Sequence, residues 1–458
     1  MGMRLVPAVD LTATSDFTLA LLDDTLAWRH RLTKELEFGA GDHLRVTSRY
    51  QVQFPSSLMG RFVPDDRVEI AKVLVPLTTR NKKMLLNFAV TGHDDEPAHR
   101  IARKSSAAIQ GEYLRRLALT SAAGEGFRAA MRSRLLEAIC VFMPDVVRNL
   151  AVPYPAWTQR LAAYLRSGLG FDVPEAAVRR WWEPARAAGT VLAEALGEPP
   201  DAYSSSEMVL LALPRMDPLP RTLDEIDDLV TGYHAGVMAA RACGDTSFLM
   251  ALADYGRRYE LIVETRLPVR EPATLTLAED RELRLSAGGW TEQQVAFGDA
   301  RSTHVEARTT DHTVEIDGFE VHDVSGRPVP SAWFEGVYWT SEALQLYSSE
   351  PGRPYYVKVR LRFRSDRNIV LTGLALAVIT LLSTVLAAVA QRDVTAVLAL
   401  VTVPTTLAAT LALIREQTAL AGRVLVPLRV LIEVSIGALW AVVLTRTAFA
   451  AITGDWIY

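Results

Sequence analysis

The sequence predicts an α+β protein: an antiparallel β-sandwich with a large helical insertion, followed by a C-terminal bundle of three transmembrane helices. Two observations predict this fold class. Stretches that alternate apolar and polar residues flank a middle part with helical periodicity. Of 49 basic and 53 acidic residues, only nine lie in residues 368–458. The end of the chain therefore has the composition of a membrane segment.

The first predicted unit, residues 1–96, contributes a helix and strands to the β domain. An amphipathic pattern predicts a helix from about Asp16 to Glu37. Residues 44–54 then alternate between apolar and polar side chains, which is typical of a strand with one buried face. Two further strands, at 70–79 and 83–91, are predicted to form a hairpin.

The second unit, residues 97–257, is predicted to be the helical insertion. Helical periodicity recurs throughout it, and Thr222 with Glu225 forms a capping box that marks one helix start. Strand patterns return in residues 258–367, the remaining part of the β domain. Because strands precede and follow the helices, we expect one β-sandwich carrying an insertion. Two separate small β domains are the alternative.

The last unit, residues 368–458, is predicted to cross a membrane three times, at about 369–390, 394–414 and 424–452. The first apolar run is about 33 Å long as a helix, enough for one bilayer. Arginines cluster before the first span and between the second and third. The positive-inside rule then predicts a multi-pass protein of the cell (plasma) membrane with a cytoplasmic N-terminal domain.

A basic strand directly precedes the first predicted span. Residues 355–363 place apolar side chains on one face and basic side chains on the other. Each cation near an anionic surface contributes about 1 kcal/mol, so this face is predicted to bind a lipid bilayer with anionic head groups. A positive-inside anchor with acidic cross-strand partners explains the same pattern. The membrane-proximal basic residues are Lys358, Arg360, Arg362, Arg364 and Arg367.

Glu433 is an ionisable residue within the third apolar stretch, where a charge is costly unless it is paired or hydrated. Arg429 lies one helical turn earlier, so the two residues are predicted to form a polar pair in the membrane. Three roles fit this pair: an ion pair near the head groups, part of a proton or ion pathway, or a hydrogen bond between helices or subunits.

No cofactor and no catalytic residue is predicted, because the sequence contains no standard nucleotide, hydrolase, zinc-helix or kinase motif. The densest polar group offers metal ligands, although acidic helix capping explains the same residues. Its metal candidates are His93, Asp94, Asp95 and His99. A looser group lies on predicted strands, where alternation scatters the side chains: His304, Glu306, His312, Glu315, Asp317 and His322.

Three functions remain open from the sequence. The net charge of −4 argues against nucleic acid as a partner. The leading hypothesis is a non-catalytic interaction or sensing protein on the inner leaflet, forming a homo-oligomer and binding an unspecified protein partner. The first alternative is an oligomeric channel or transport component with Glu433 in the path. The second is a membrane-tethered enzyme whose site no motif shows.

Overall fold

The structure is a computed structural model. It describes the following residues: 8–38, 43–81, 88–121, 124, 127–141, 154–196, 208–282, 290–297, 300–310, 314–323, 326–330, 333–349, 355–363, 367–389, 402, 405–406 and 419–453. Some side chains within these ranges lie outside the description, including those of residues 290–297, 367–370, 387–389 and 419–429.

Strands lie on both sides of a helical segment. Those before it are β1 (Ala8–Asp10), β2 (Arg29–Phe38), β3 (His43–Val52), β4 (Ile70–Asn81), β5 (Phe88–Thr91) and β6 (His99–Arg100). Those after it are β7 (Arg258–Pro268), β8 (Ala273–Glu282), β9 (Trp290–Phe297), β10 (Ser302–Thr309), β11 (Val314–Asp323), β12 (Gly336–Trp339), β13 (Ala343–Ser348) and β14 (Tyr355–Phe363).

The helices fall into three groups. Short helices accompany the first strands: α1 (Asp16–Asp23), α2 (Thr25–Trp28) and α3 (Ser56–Phe62). The helical segment contains α4 (Arg103–Thr120), α5 (Arg128–Arg132), α6 (Leu135–Val141), α7 (Tyr154–Leu169), α8 (Glu175–Ala195), α9 (Met208–Ala212), α10 (Leu223–Ala242) and α11 (Thr246–Arg257). The C-terminal helices are α12 (Arg367–Val389) and α13 (Ala419–Thr453).

The described strands form three sheets. A four-stranded sheet has the order β1-β4-β7-β6, a seven-stranded sheet the order β12-β13-β10-β2-β3-β8-β5, and a three-stranded sheet the order β11-β14-β9. The predicted antiparallel sandwich is wrong in two respects. There are three sheets, and β1 pairs in parallel with β4, as β2 does with β10. A parallel pair needs a long crossover, and the chain between β2 and β10 provides one.

The seven-stranded sheet packs against both smaller sheets through two separate apolar cores. Leu32 and Tyr50 belong to the core shared with the four-stranded sheet. Two residues further along the same strand pair, the row formed by Lys34 and Ser48 is polar yet buried. Beyond this buried polar row, the second core is shared with the three-stranded sheet; its members from the seven-stranded sheet are Leu36, Phe38, Leu44, Val46, Val305, Ala307, Leu344 and Leu346.

The helices α4 to α11 surround an apolar core of their own. The Oγ1 atom of Thr222 accepts a hydrogen bond from the Glu225 backbone N–H at 3.2 Å, which confirms the predicted start of α10. The Ser106 hydroxyl donates to the carbonyl of Glu260 at 2.7 Å. This bond attaches α4, the first helix of the segment, to β7. The last helix, α11, continues directly into the same strand. The boundaries 1–96, 97–257, 258–367 and 368–458 stay predictions.

The predicted N-terminal helix is wrong beyond its first turns. Only α1 and α2 are helical, and residues 29–38 form β2 instead. The residues of β2 include good helix formers, but its buried positions alternate and it lies between β3 and β10. Burial between two strands therefore outweighs helix propensity. The predicted hairpin is also wrong, because β4 and β5 belong to different sheets.

The predicted transmembrane bundle is wrong for the part of the chain that the structure describes, where no helix is long and apolar enough to cross a bilayer. Most of the predicted second span, 394–414, lies outside the described residues.

Three predictions relied on those spans and are corrected with them. They are the plasma-membrane location with a cytoplasmic N-terminal domain, the multi-pass architecture, and the leading function on the inner leaflet. The channel and tethered-enzyme alternatives assumed the same spans. The candidate site below is therefore built from side-chain geometry alone.

Candidate ligand-binding site

A shallow pocket of about 70 Å³ lies on the outer face of the three-stranded sheet. It is formed by the neighbouring strands β11 and β14. Its lining combines two cations, a carboxylate, an aromatic residue and a glycine: Lys358, Arg360, Glu320, Phe319 and Gly318. The pocket thus lies on the basic strand that the sequence singled out.

The alternation of β14 places its cations in the pocket. Its odd-numbered residues from 355 to 361 are buried in the second core of the seven-stranded sheet, so Lys358, Arg360 and Arg362 share the opposite face. The structure therefore brings three of the five predicted basic residues onto one face. Arg364 lies outside the described residues, as does the side chain of Arg367 at the start of α12.

A bulge in β11 brings the acidic side of the pocket to the same face. The register against β14 shifts between Ile316 and Gly318, which leaves Asp317 as the extra residue. Ile316 is buried before the bulge, and after it Phe319 packs against the same core. The alternation is thereby reset, and Glu320 lies on the outer face.

Glu320 lies between positively charged groups. It is directly opposite Lys358 in the strand pair. Its Oε1 atom lies 3.7 Å from Nη2 of Arg360, and its Oε2 atom lies 3.0 Å from Nε2 of His322. The hydrogen bond from His322, followed by the charges of Arg360 and Lys358, holds the pKa of Glu320 below its ordinary value. Glu320 is therefore an ionised acceptor at neutral pH.

His322 contacts an acceptor with each ring nitrogen. Nδ1 lies 3.1 Å from the carbonyl oxygen of Gly326, and Nε2 lies 3.0 Å from the Glu320 carboxylate. A carbonyl and a carboxylate only accept hydrogen bonds, so His322 is the donor in each of these contacts that is a hydrogen bond. The pocket itself gathers two cations, Lys358 and Arg360, around one carboxylate, and its net charge suits an anionic ligand.

An exposed aromatic strand lies beside the pocket. The ring centroids of Phe319 and Trp339 are 6.1 Å apart in an edge-to-face arrangement. Trp339 belongs to β12, the outermost strand of the seven-stranded sheet, where Val337 and Tyr338 are also about half exposed. A ligand larger than a single anion thus finds apolar surface next to the charged groups.

The predicted metal candidates do not assemble into a metal centre. Nε2 of His93 lies 3.5 Å from Oδ1 of Asp94, whose side chain is 83% exposed. His99 lies in β6, opposite Glu264 of β7. Across the residues that the structure describes, no three His, Cys, Asp or Glu side chains are placed to hold a metal ion. Asp94 and Asp95 instead form a turn in which both residues have a left-handed backbone conformation, with φ of +54° and +58°.

The predicted polar pair is described only in part. Glu433 is exposed on α13, whereas the side chain of Arg429 lies outside the described residues. Their pairing stays a prediction, separate from the corrected membrane assignment.

Sequence reasoning missed the acidic and aromatic half of the pocket. Gly318, Phe319 and Glu320 were not singled out, and His322 entered only as a member of a loose metal group. One signal was present: Asp317 followed by Gly318 inside an alternating run is typical of a strand bulge. A bulge at this position exchanges the sheet faces on which the following residues lie. Recognising it would have placed Glu320 opposite the basic strand.

A comparison of the chain with known protein families found no matching family model, and a comparison with curated proteins found no match.

Replacing His322 with alanine is expected to raise the pKa of Glu320 toward its ordinary value, because the largest cause of the lowered pKa is removed. The measurement is a carboxyl ¹³C NMR titration of selectively labelled protein. A lowered pKa in the folded state means that Glu320 stabilises the fold above its unfolded pKa, and that this contribution is lost as pH falls through the folded pKa.

His304→Ala is the matched control, since His304 lies on β10 in another sheet. It should leave the Glu320 titration unchanged. An unaltered pKa of Glu320 in the His322 variant would show that the hydrogen bond between these side chains does not form in solution.

Proposed function

We propose that this chain is a binding protein that takes a phosphate- or carboxylate-bearing ligand into the pocket between β11 and β14. One observation supports this most: Lys358 and Arg360 converge on one pocket in which the hydrogen-bonded pair Glu320 and His322 fixes the opposite wall. The class of protein that this arrangement suits is an anion receptor.

The chemistry of the two cations suits an oxyanion. The planar guanidinium of Arg360 can donate two parallel hydrogen bonds to a phosphate or carboxylate, and Lys358 adds a compact charge. About half of the Arg360 side chain is exposed, so an incoming anion can reach it. Exposed charges interact weakly in water and are screened over about 10 Å at 0.1 M salt, so binding should weaken as salt rises.

Two sources of such an anion share this chemistry. A soluble phosphate ester would occupy the pocket alone, whereas a surface of anionic lipid head groups would also contact Arg362 on the same face. The predicted lipid partner is therefore one arm of the test. The exposed aromatic side chains next to the pocket favour a ligand with an organic part over inorganic phosphate.

The test compares two kinds of probe on the full chain. Calorimetry with inorganic phosphate and with glycerol 3-phosphate reports soluble anions, and co-sedimentation reports vesicles of phosphatidylcholine with or without phosphatidylserine. We expect salt-dependent binding in at least one arm and at least a tenfold loss in Lys358→Glu/Arg360→Glu. Glycerol 3-phosphate binding without vesicle binding identifies a soluble ligand, and the reverse identifies a lipid surface.

A matched variant distinguishes binding at this pocket from a general effect of the protein's net charge. Arg45→Glu/Arg179→Glu makes a similar charge change at two side chains that are about 60% exposed on other elements. It should bind as the wild type does. Equal losses in both variants, or no binding in either arm, would refute the proposal, provided that thermal unfolding shows all proteins folded.

A further inference from the structure

One side of the anion pocket is bordered by aromatic side chains. Phe319 lines the pocket and also packs against the core shared by the seven-stranded and three-stranded sheets. Its ring centroid lies 6.1 Å from that of Trp339, at an interplanar angle of 73°. Trp339 is therefore in contact with a residue of the pocket wall, one side chain away from the two cations.

The pairing of β12 with β13 decides which side chains of β12 lie toward the pocket. Residues directly opposite each other in an antiparallel pair lie on the same face of the sheet. Trp339 is opposite Leu344, which is buried in the core shared with the three-stranded sheet. Tyr338 is opposite Gln345, on the other face. Trp339 thus faces the three-stranded sheet, and its neighbour Tyr338 faces away from it.

Trp339 is only half covered by this packing, since 50% of its surface is exposed. It lies on β12, the outermost strand of the seven-stranded sheet, and Phe319 lies on β11, the outermost strand of the three-stranded sheet. Edge strands usually carry a lysine or a proline that discourages contacts, whereas β12 has the sequence Gly-Val-Tyr-Trp. The part of the indole that Phe319 does not cover is therefore open to a ligand.

The pocket is too small to enclose a whole organic ligand. Its volume is about 70 Å³. Pockets that enclose a drug-sized molecule have roughly 300–1,000 Å³. An oxyanion head group can lie between Lys358 and Arg360, but the rest of the ligand has to lie on the surface beside the pocket. Trp339 provides such a surface.

The number of donors in the pocket favours a phosphate group over a carboxylate. The guanidinium of Arg360 can use two oxygens of an oxyanion in a bidentate contact. A carboxylate has no further oxygen, whereas a phosphate monoester has a third terminal oxygen for the ammonium group of Lys358. A phosphate therefore uses both cations at once.

We infer that the ligand is a phosphate monoester of a planar aromatic group, with its phosphate between Lys358 and Arg360 and its ring stacked on the exposed part of Trp339. This inference rests on the proposed function and adds the class of the organic part. Aromatic rings prefer an offset stack on an indole. Such stacking improves affinity by about 5- to 150-fold, as alanine substitution at base-stacking aromatic residues shows.

The experiment is calorimetry on the full chain with three phosphate esters that differ in their organic part. Phenyl phosphate carries a planar ring, cyclohexyl phosphate carries a ring of similar size that is not planar, and glycerol 3-phosphate carries no ring. We expect phenyl phosphate to bind at least about fivefold more tightly than the other two esters. Because the phosphate group is the same in all three, the difference reports the contact made by the aromatic ring.

Variants of β12 assign this preference to one side chain. Trp339→Ala should remove the preference and leave the affinity for glycerol 3-phosphate unchanged, whereas Trp339→Phe, which keeps an aromatic ring, should retain most of it. Tyr338→Ala is the matched control, because Tyr338 is 58% exposed on the same strand but faces away from the pocket. It should bind all three esters as the wild type does.

A second measurement follows the indole N–H signal of Trp339 by NMR. The signal is assigned by its absence from the spectrum of Trp339→Ala. Phenyl phosphate should shift it more than glycerol 3-phosphate does, because only phenyl phosphate places a ring against the indole. Equal shifts with both esters would contradict the stacked arrangement.

Failure of this inference and failure of the proposed function give different results. Phenyl phosphate binding no more tightly than cyclohexyl phosphate would show that the site does not recognise an aromatic ring. A preference for phenyl phosphate that survives in folded Trp339→Ala would place the ring elsewhere. Vesicle binding without binding of any ester would overturn this inference and leave the proposed anion site intact. No binding of any ester or vesicle would overturn both.

Discussion

Arg29→Met is expected to lower the free energy of unfolding by about 3–5 kcal/mol, the usual cost of removing one partner from a buried ion pair. Arg29 and Glu260 are 3% and 4% exposed, with Nη2 of Arg29 3.7 Å from Oε1 of Glu260. The same Nη2 donates to the carbonyl of Pro76 at 2.5 Å. The variant would leave a carboxylate buried without its cation.

The position of this pair explains why the effect should be large. Arg29 begins β2 in the seven-stranded sheet, whereas Pro76 and Glu260 belong to β4 and β7 of the four-stranded sheet. The guanidinium also lies 4.8 Å from the buried ring of Trp28. One side chain thus joins two sheets at the edge of their shared core, where strand β7 also receives α4.

The measurement is urea unfolding followed by circular dichroism. Arg49→Met is the control, because the exposed pair of Arg49 with Glu35 should contribute at most about 1 kcal/mol. Removing both buried charges in Arg29→Met/Glu260→Leu should recover part of the loss, since no uncompensated charge remains. A loss below about 1 kcal/mol in Arg29→Met would indicate that the pair is hydrated in solution.

Phe127→Ala is expected to cost about 3–5 kcal/mol, as large-to-small changes of buried aromatic residues do. Phe127 is fully buried at the centre of the helical core, with its ring centroid 4.9 Å from that of Phe248 and 5.9 Å from that of Tyr233. Removing the ring would leave a cavity between α10 and α11. Thermal and urea unfolding measure the loss.

The contact between Gly236 and Phe127 can be tested by a double-mutant cycle. A Cβ atom at Gly236 would lie 2.5 Å from the Phe127 ring, so Gly236→Ala alone should cost about 1–3 kcal/mol through overpacking. In the Phe127→Ala background this conflict disappears, and alanine should gain up to about 1 kcal/mol from helix propensity. Gly60→Ala, in open surroundings, is the control. Additive effects would contradict the described contact.

The sequence reveals those parts of the site and fold whose signals are local. The basic face of β14 follows from alternation within nine residues, and the start of α10 follows from one capping motif. The carboxylate wall of the pocket depends on how β11 pairs with β14, 40 residues away for Glu320 and Arg360. The periodicity of one strand does not reveal which residues of another strand lie opposite it.

The errors have a common physical origin in tertiary context. Residues 29–38 contain strong helix formers, but two neighbouring strands decide their conformation. The apolar composition of α12 and α13 is compatible with helices, but it does not say what their apolar side chains contact. Composition therefore predicted helices there correctly, and the membrane assignment added to them was wrong.

The buried polar row in the seven-stranded sheet makes its strand alignment unambiguous. Sliding β2 by two residues along β3 would keep every side chain on its face, so alternation alone does not forbid it. Such a slide would move Lys34 from its place opposite Ser48 into the positions of Leu32 or Leu36 within an apolar core. Burying an ammonium group there costs several kcal/mol. Lys34 thus selects one alignment among those that the apolar residues alone would accept.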